Sequence, residues 1–338
     1  MKPINERRIC SLHRSPRLIF AFTITSLFFH ILTLKTGFAG AVSYSLERRD
    51  KLFAVHCVDK QTRWIVGNRG LIINSVDGGK TWKKLKTTWD YSLNDITFVN
   101  NSGWIVGQKG LILYTNDGGL NWDRQDAKTD KSLLGVYFFD EHNGLSFGES
   151  GTILLTKDGG SSWQITPIAW AEILPIYLGT IPPTLYEVSF VDGLHGWIVG
   201  DNGSVLSTSD SGNTWESLRI GLFPPLFSVC FKSRLEGWAV GQNGDFLHTQ
   251  DGGVNWDEID LPIDNNLSKI HLVGSNGIVV GDRATVILSN DGGKTWQVRK
   301  LNMRLPLPWF ADAWLFSEDS STQATLVGKS AIRDFDIK

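Results

Sequence analysis

Apolar residues mark seven short runs along the chain, each spaced by three residues and then by two. The first is Leu52/Val55/Cys57. It is followed by Leu93/Ile96/Phe98, Leu133/Val136/Phe138, Leu185/Val188/Phe190, Leu226/Val229/Phe231, Leu267/Ile270/Leu272 and Phe310/Ala313/Leu315. A second β-rich run follows the first six, at 64–67, 104–107, 145–148, 197–200, 238–241 and 278–281, and each ends in Gly. A turn comes next, closed by Gly70, Gly110, Gly151, Gly203 or Gly244, with Ala284 in the sixth unit. A third run then alternates, as in Leu111-Ile112-Leu113-Tyr114-Thr115. Period-2 alternation bounded by Gly, Asn and Asp predicts strands, not helices.

A signature, Asp-Gly-Gly-x-(Thr/Asn/Ser)-Trp, closes six of these units. Its copies run from Asp77 to Trp82, Asp117 to Trp122, Asp158 to Trp163, Asp210 to Trp215 (altered to DSGNTW), Asp251 to Trp256 and Asp291 to Trp296. The steps between the Trp residues are 40, 41, 52, 41 and 40. A period of about 40–45 residues is that of a propeller blade. The short run after each Trp supplies a fourth strand. The pattern therefore predicts an all-β, seven-bladed β-propeller of four-stranded antiparallel blades over residues 42–338. The seventh unit has no signature, only runs near 324–328 and 331–335 after Phe310. Residues 42–47 are expected to pair into that last blade as its missing outer strand and close the ring.

The signature's chemistry reads as structural. Asp accepts hydrogen bonds from backbone N–H groups, here expected two residues on, and stabilises a tight turn. The glycines allow positive φ. The Thr, Asn or Ser completes the local network, and Trp anchors the turn. The six aspartates sit on separate turns, too far apart to converge on one ion. No metal, cofactor or catalytic residue is expected. The tryptophans are expected to fill the spaces between blades.

The first 41 residues have the layout of an export signal. Lys2, Arg7, Arg8, Arg14 and Arg17 precede an apolar run of 17 residues, Leu18 to Leu34, and Ala39-Gly40-Ala41 follows. Two fates fit this layout: cleavage after Ala41, or an uncleaved membrane anchor with the propeller outside. This segment carries six Lys/Arg and one Glu, a net +5, so the chain's −2 leaves −7 on the remainder. An acidic domain argues against nucleic-acid binding through phosphates. Cys10 lies in the signal segment, and Cys57 and Cys230 open blades one and five. Those blades are not neighbours, so no disulfide is expected.

The signature resembles the Asp-box, or BNR repeat, found between the third and fourth strands of propeller blades. Ser75-Val76-Asp77-Gly78-Gly79-Lys80-Thr81-Trp82 and the run from Ser289 to Trp296 match its full form. Asp-box propellers include sialidases, two-propeller glucanases and photosystem II stability/assembly factors. The GWxVGxxGxILxTxDGGxTW unit, nearly complete at 104–119, resembles the last of these, over essentially residues 42–338. The resemblance implies a non-enzymatic protein, and a monomer is expected. It would be exported to the periplasm or thylakoid lumen and bind a membrane protein or its assembly intermediate. The alternative is an exported carbohydrate-binding or sialidase-like glycoside-hydrolase propeller. No Arg–Tyr–Glu motif of the sialidase kind stands out, whereas paired carboxylates of other glycosidases can arise anywhere on a ring.

Departures from the repeat mark candidate partner-binding residues. The distance from signature Trp to the next opening Leu is 11 residues in four units but 22 from Trp163 to Leu185. This apolar insertion, 167–183, contains Trp170, Ile173, Leu174 and Tyr177. Either it is exposed and contacts a partner, or it folds down over the ring and buries Trp170 and Leu174. The connection after Trp296 carries Arg299, Lys300 and Arg304. With Arg283 these form a basic patch on one rim, or else simply solvated loop charges.

Overall fold

The structure, a computed structural model, describes residues 42–175, 179, 181–303, 305–318 and 321–337. Blade two shows the plan. Its strands run outward from the ring axis as Leu93–Val99, Ser102–Gly107, Leu111–Thr115 and Asp123–Asp126, all antiparallel. Blades three to six repeat this four-stranded order, from innermost strands Leu133–Phe138, Leu185–Phe190, Leu226–Phe231 and Leu267–Val273.

Every innermost strand carries the same irregularity. Its pairing shifts between the first and third residues: Leu52/Ala54, Leu93/Asp95, Leu133/Gly135, Leu185/Glu187, Leu226/Ser228, Leu267/Lys269 and Phe310/Asp312. An extra residue at a bulge turns a two-residue repeat into a three-residue step. This is the origin of the three-then-two spacing in the sequence. It lets both Leu93 and Ile96 enter one inter-blade core. It also brings the skipped residues to the ring axis, where all seven innermost strands line one cavity of ≈ 270 Å³.

Blades are fastened by aromatics. Trp104 of blade two stacks on Phe138 of blade three, with centroids 3.5 Å apart, and its indole N–H donates to the Gly159 carbonyl at 3.0 Å. Trp197 repeats this with Phe231 and Gly252. The second glycine of the signature makes room for the preceding blade. A Cβ on Gly119 would lie 2.4 Å from the Trp64 ring, and one on Gly293 2.5 Å from Trp238.

The closure expected for the N-terminal strand is not the one observed. Val42–Ser43 pairs with Lys83–Lys84, the outer strand of blade one, which becomes five-stranded. Blade seven has three strands, Phe310–Glu318, Ser321–Gly328 and Ala331–Ile337. Side chains join blades seven and one instead, together with a backbone contact between 50–51 and 329–330. Val55 N–H donates to Asp312 Oδ2 at 2.9 Å, and Arg63 Nη1 donates to Asp334 at 2.7 Å and Thr325 at 2.9 Å. The physical reason is register. Tyr44 N–H binds the Trp82 carbonyl, and Tyr44 Oη donates to Asp50, which fixes this segment beside the blade it precedes.

Cys57 and Cys230 carry free thiols in blades one and five. Burial pushes them up to about 12 and about 11, so neither is a ready nucleophile.

Candidate functional site

The signature turns lie on one face of the ring. There, box residues bond to the turn between the first and second strands, as Gly118 N–H does to the Asn101 carbonyl. In each box the Asp reaches four residues on, not two. Asp77 accepts both the backbone N–H and the hydroxyl of Thr81, at 2.9 and 2.6 Å. Asp117, Asp158, Asp210, Asp251 and Asp291 do the same with Asn121, Ser162, Thr214, Asn255 and Thr295. A Ser or Thr ending the third strand supplies another partner, as Ser75 does for Asp77 and the Gly79 N–H. The hydrogen bonds from Thr81 and Thr295 hold Asp77 and Asp291 down at about 2. Trp122, Trp215, Trp256 and Trp296 each return an indole N–H to their own box glycine carbonyl, and Trp163 donates to Gln125. Trp82 packs into the core between blades seven and one. These groups are occupied in holding turns.

The opposite face carries the connections between blades and the turns between second and third strands. Hydrogen bonds tie the two together: Gly151 N–H to the Pro183 carbonyl, Ala284 N–H to the Pro308 carbonyl. Both departures from the repeat therefore share this connection face. In the insertion, Trp170–Ile173 forms one helical turn. Trp170 and Ile173 pack on the core between blades three and four, the Trp170 ring lies against Gly151, and Leu174 is buried. Tyr177 and Arg304 lie outside the described residues. Arg283, Arg299 and Lys300 are exposed, Arg283 at a turn tip and the other two on the connection tied to it.

Arg283 belongs to a set that the sequence reading missed. The tip of every turn between second and third strands is left-handed: Arg69, Lys109, Ser150, Asn202, Asn243, Arg283 and Ser330, with φ between 52° and 59°. Asn is the non-glycine residue that tolerates this best, while a long side chain costs about 1 kcal/mol or more. Blades three, four and five use Ser and Asn there. Blades six, one and two use Arg283, Arg69 and Lys109, and blade seven, between them, has Lys329 beside its tip. All four side chains are exposed, so a basic arc spans four consecutive blades. The overlooked signal was the residue before Gly70, Gly110 and Ala284.

The axial cavity holds a second overlooked group. Asp95, Glu187, Lys269 and Asp312, each the residue just after the skipped one, line it from four innermost strands. Lys269 pairs with Glu187 and lies 3.7 Å from Asp312. Asp95 Oδ2 accepts the Val136 N–H of the next blade at 2.9 Å. Ser228 takes the equivalent N–H of Ile270, while Ser189 and His271, two residues further along their strands, take those of Phe231 and Leu315. The carboxylates thus belong to a belt joining neighbouring strands. Burial, reinforced by Glu187, pushes Asp95 up to about 7. An acid with a raised folded-state value binds its proton more tightly folded than unfolded. Its contribution is full below the unfolded value near 4 and is lost as pH rises through about 7. Asp95→Asn is therefore expected to be relatively more stable at pH 8 than at pH 4.5. Urea midpoints at the two pH values measure this, and the opposite trend contradicts it.

Among the described residues no group of three or more His, Cys, Asp or Glu could hold a metal ion. The model of the family described as "Photosynthesis system II assembly factor YCF48" matches residues 41–128, 170–262 and 215–313. A 33-residue stretch is 48% identical to the photosystem II assembly protein Ycf48 of Thermosynechococcus vestitus; the match spans a tenth of either chain. A solved structure described as YCF48 bound to D1 peptide superposes with a TM-score of 0.69 at 20% identity, over 86% of this chain and 95% of that one. YCF48 from Cyanidioschyzon merolae gives 0.71 at 19%, over 88% and 99%. A xyloglucanase from Xanthomonas campestris gives 0.69 at 13%, over 86% and 52%. At these identities the superpositions establish the propeller fold and nothing finer.

Proposed function

Because the chain belongs to the photosystem II assembly factor YCF48 family, we propose that it is an exported, non-catalytic scaffold that holds a membrane protein or its assembly intermediate against the connection face. The basic arc carries this reading. Arg69, Lys109 and Arg283 occupy left-handed turn tips where Asn202 and Asn243 serve the same turn at less strain. The Lys109 ammonium gains the Tyr91 ring, 5.1 Å away; for Arg69 and Arg283 the strain points to use. Arg299 and Lys300 extend the arc, while Trp170, Ile173 and Leu174 brace the far side of the same face. The basic and apolar N-terminus supports export to a periplasm or thylakoid lumen, either as a cleaved signal or as an anchor.

The test is capture from detergent-solubilised membranes by the immobilised full chain, with bound proteins identified by mass spectrometry. The triple variant Arg69→Asn, Lys109→Asn, Arg283→Asn should melt no lower than wild type. It should lose at least tenfold of the captured membrane protein. Undiminished capture overturns the role of the arc. Binding of xyloglucan oligosaccharides with no membrane protein retained would return the carbohydrate reading.

A further inference from the structure

Two connections enter their blades through the same pattern. Ile181-Pro182-Pro183 leads into blade four and Phe223-Pro224-Pro225 into blade five. Between them, on the connection face, lies a groove of ≈ 480 Å³ walled by Ile181, Pro182, Pro183, Phe223 and Pro225. Ile181 is 76% exposed, the adjoining Leu222 79% and Phe223 47%. Large apolar side chains exposed along and beside a groove mark a docking surface.

The groove's charge is one-sided, while the Pro183 and Pro225 carbonyls in its wall are already taken by the Gly151 and Gln242 N–H groups. Glu149 and Asp201 also line the groove. Each carboxylate is steadied from behind, Glu149 by the Ser132 N–H and Asp201 by the Tyr186 hydroxyl and the Thr184 N–H. An ionised carboxylate has about four acceptor sites, so both keep capacity for a ligand. The wall already accepts one guanidinium from within the protein, as Arg219 lies 4.1 Å from the centre of the Phe223 ring.

We propose that this groove docks an extended partner segment in which an arginine is flanked by apolar residues. A guanidinium offers five donors in a planar fork, matches carboxylates and stacks on flat apolar walls. Apolar flanks cover Ile181 and Phe223. An acidic segment is repelled by Glu149 and Asp201 and belongs instead on the basic arc across the ring. The groove and the arc therefore select opposite charges on one face.

The probe is a fluorescein-labelled heptapeptide with a central arginine, two leucines on either side and glycine ends. It is compared with the same peptide carrying neutral citrulline, using the full chain and fluorescence anisotropy. The arginine peptide should bind at least tenfold tighter. Glu149→Lys should abolish that preference, and Ile181→Ser, at an exposed position, should weaken binding several-fold with an unchanged melt. Arg69→Asn should leave it untouched, so the groove and the arc can fail separately. Equal affinity for the two peptides overturns the proposal, as does undiminished binding to Glu149→Lys. Recruitment of the chain to phosphatidylglycerol vesicles, lost in Ile181→Ser, would assign the surface to a membrane instead.

Discussion

Trp104→Ala is expected to lower stability by about 4 kcal/mol, within the range for truncating a fully buried aromatic. Trp104 is 0% exposed and sits where blades two and three meet, among Leu133, Val136, Phe138 and Leu154 of the next blade. Three losses coincide. The cavity removes the contact with the Phe138 ring, the apolar area returns to water on unfolding less favourably, and the Gly159 carbonyl loses its indole donor. For a ring of this size the loss corresponds to roughly 6 °C in Tm. Trp104→Phe separates the terms. It keeps a ring against Phe138 and loses the N–H, so its cost should be about 1–2 kcal/mol. Guanidinium denaturation measures both. A loss below about 1 kcal/mol for Trp104→Ala would mean that the blades are not held by these stacks.

The parts legible in the sequence were those that repeat. Six boxes with a near-constant spacing carried the blade count, because each turn must solve the same problem with the same Asp, Gly and Trp. The three-then-two spacing of Leu93, Ile96 and Phe98 was visible as well, though its cause, a bulge in every innermost strand, needed the pairing register. What escaped notice lay in positions that vary between units. Asp95, Glu187, Lys269 and Asp312 share one repeat position, yet Ala54, Gly135 and Ser228 hold it elsewhere, and no spacing rule says that these residues meet on the axis. Arg69 and Lys109 were hidden for a different reason, and Arg283 stood out only beside Arg299, Lys300 and Arg304. The chemistry at these three tips lies in a left-handed φ that a basic residue does not advertise. Ring closure was misread because an unpaired terminal segment and an incomplete blade suggest each other, while Asp312 and Arg63 look like ordinary strand residues.

That closure makes Asp312→Ala the second large effect, expected at about 3–4 kcal/mol from two orphaned buried N–H groups and a weakened ion pair. Asp312 is 7% exposed, its Oδ2 accepting from Val55 across the junction and its Oδ1 from Ala313, with Lys269 nearby. Alanine leaves both N–H groups without a partner in a place water reaches poorly. Arg63→Ala, on the same junction, should cost less, about 2 kcal/mol, because its partner Asp334 is 40% exposed and rehydrates. Removing Val42 and Ser43 should cost least, under about 1 kcal/mol, since they add two residue pairs to the edge of a blade that is complete without them. The order distinguishes the two ways of shutting the ring. If the N-terminal strand were the clasp, its deletion would outweigh either side-chain change, and hydrogen exchange would spread from 42–47. With the clasp at Asp312 and Arg63, exchange in Asp312→Ala should rise first in Phe310–Glu318 and in Leu52–Cys57. The remaining blades keep their stacks and should open later.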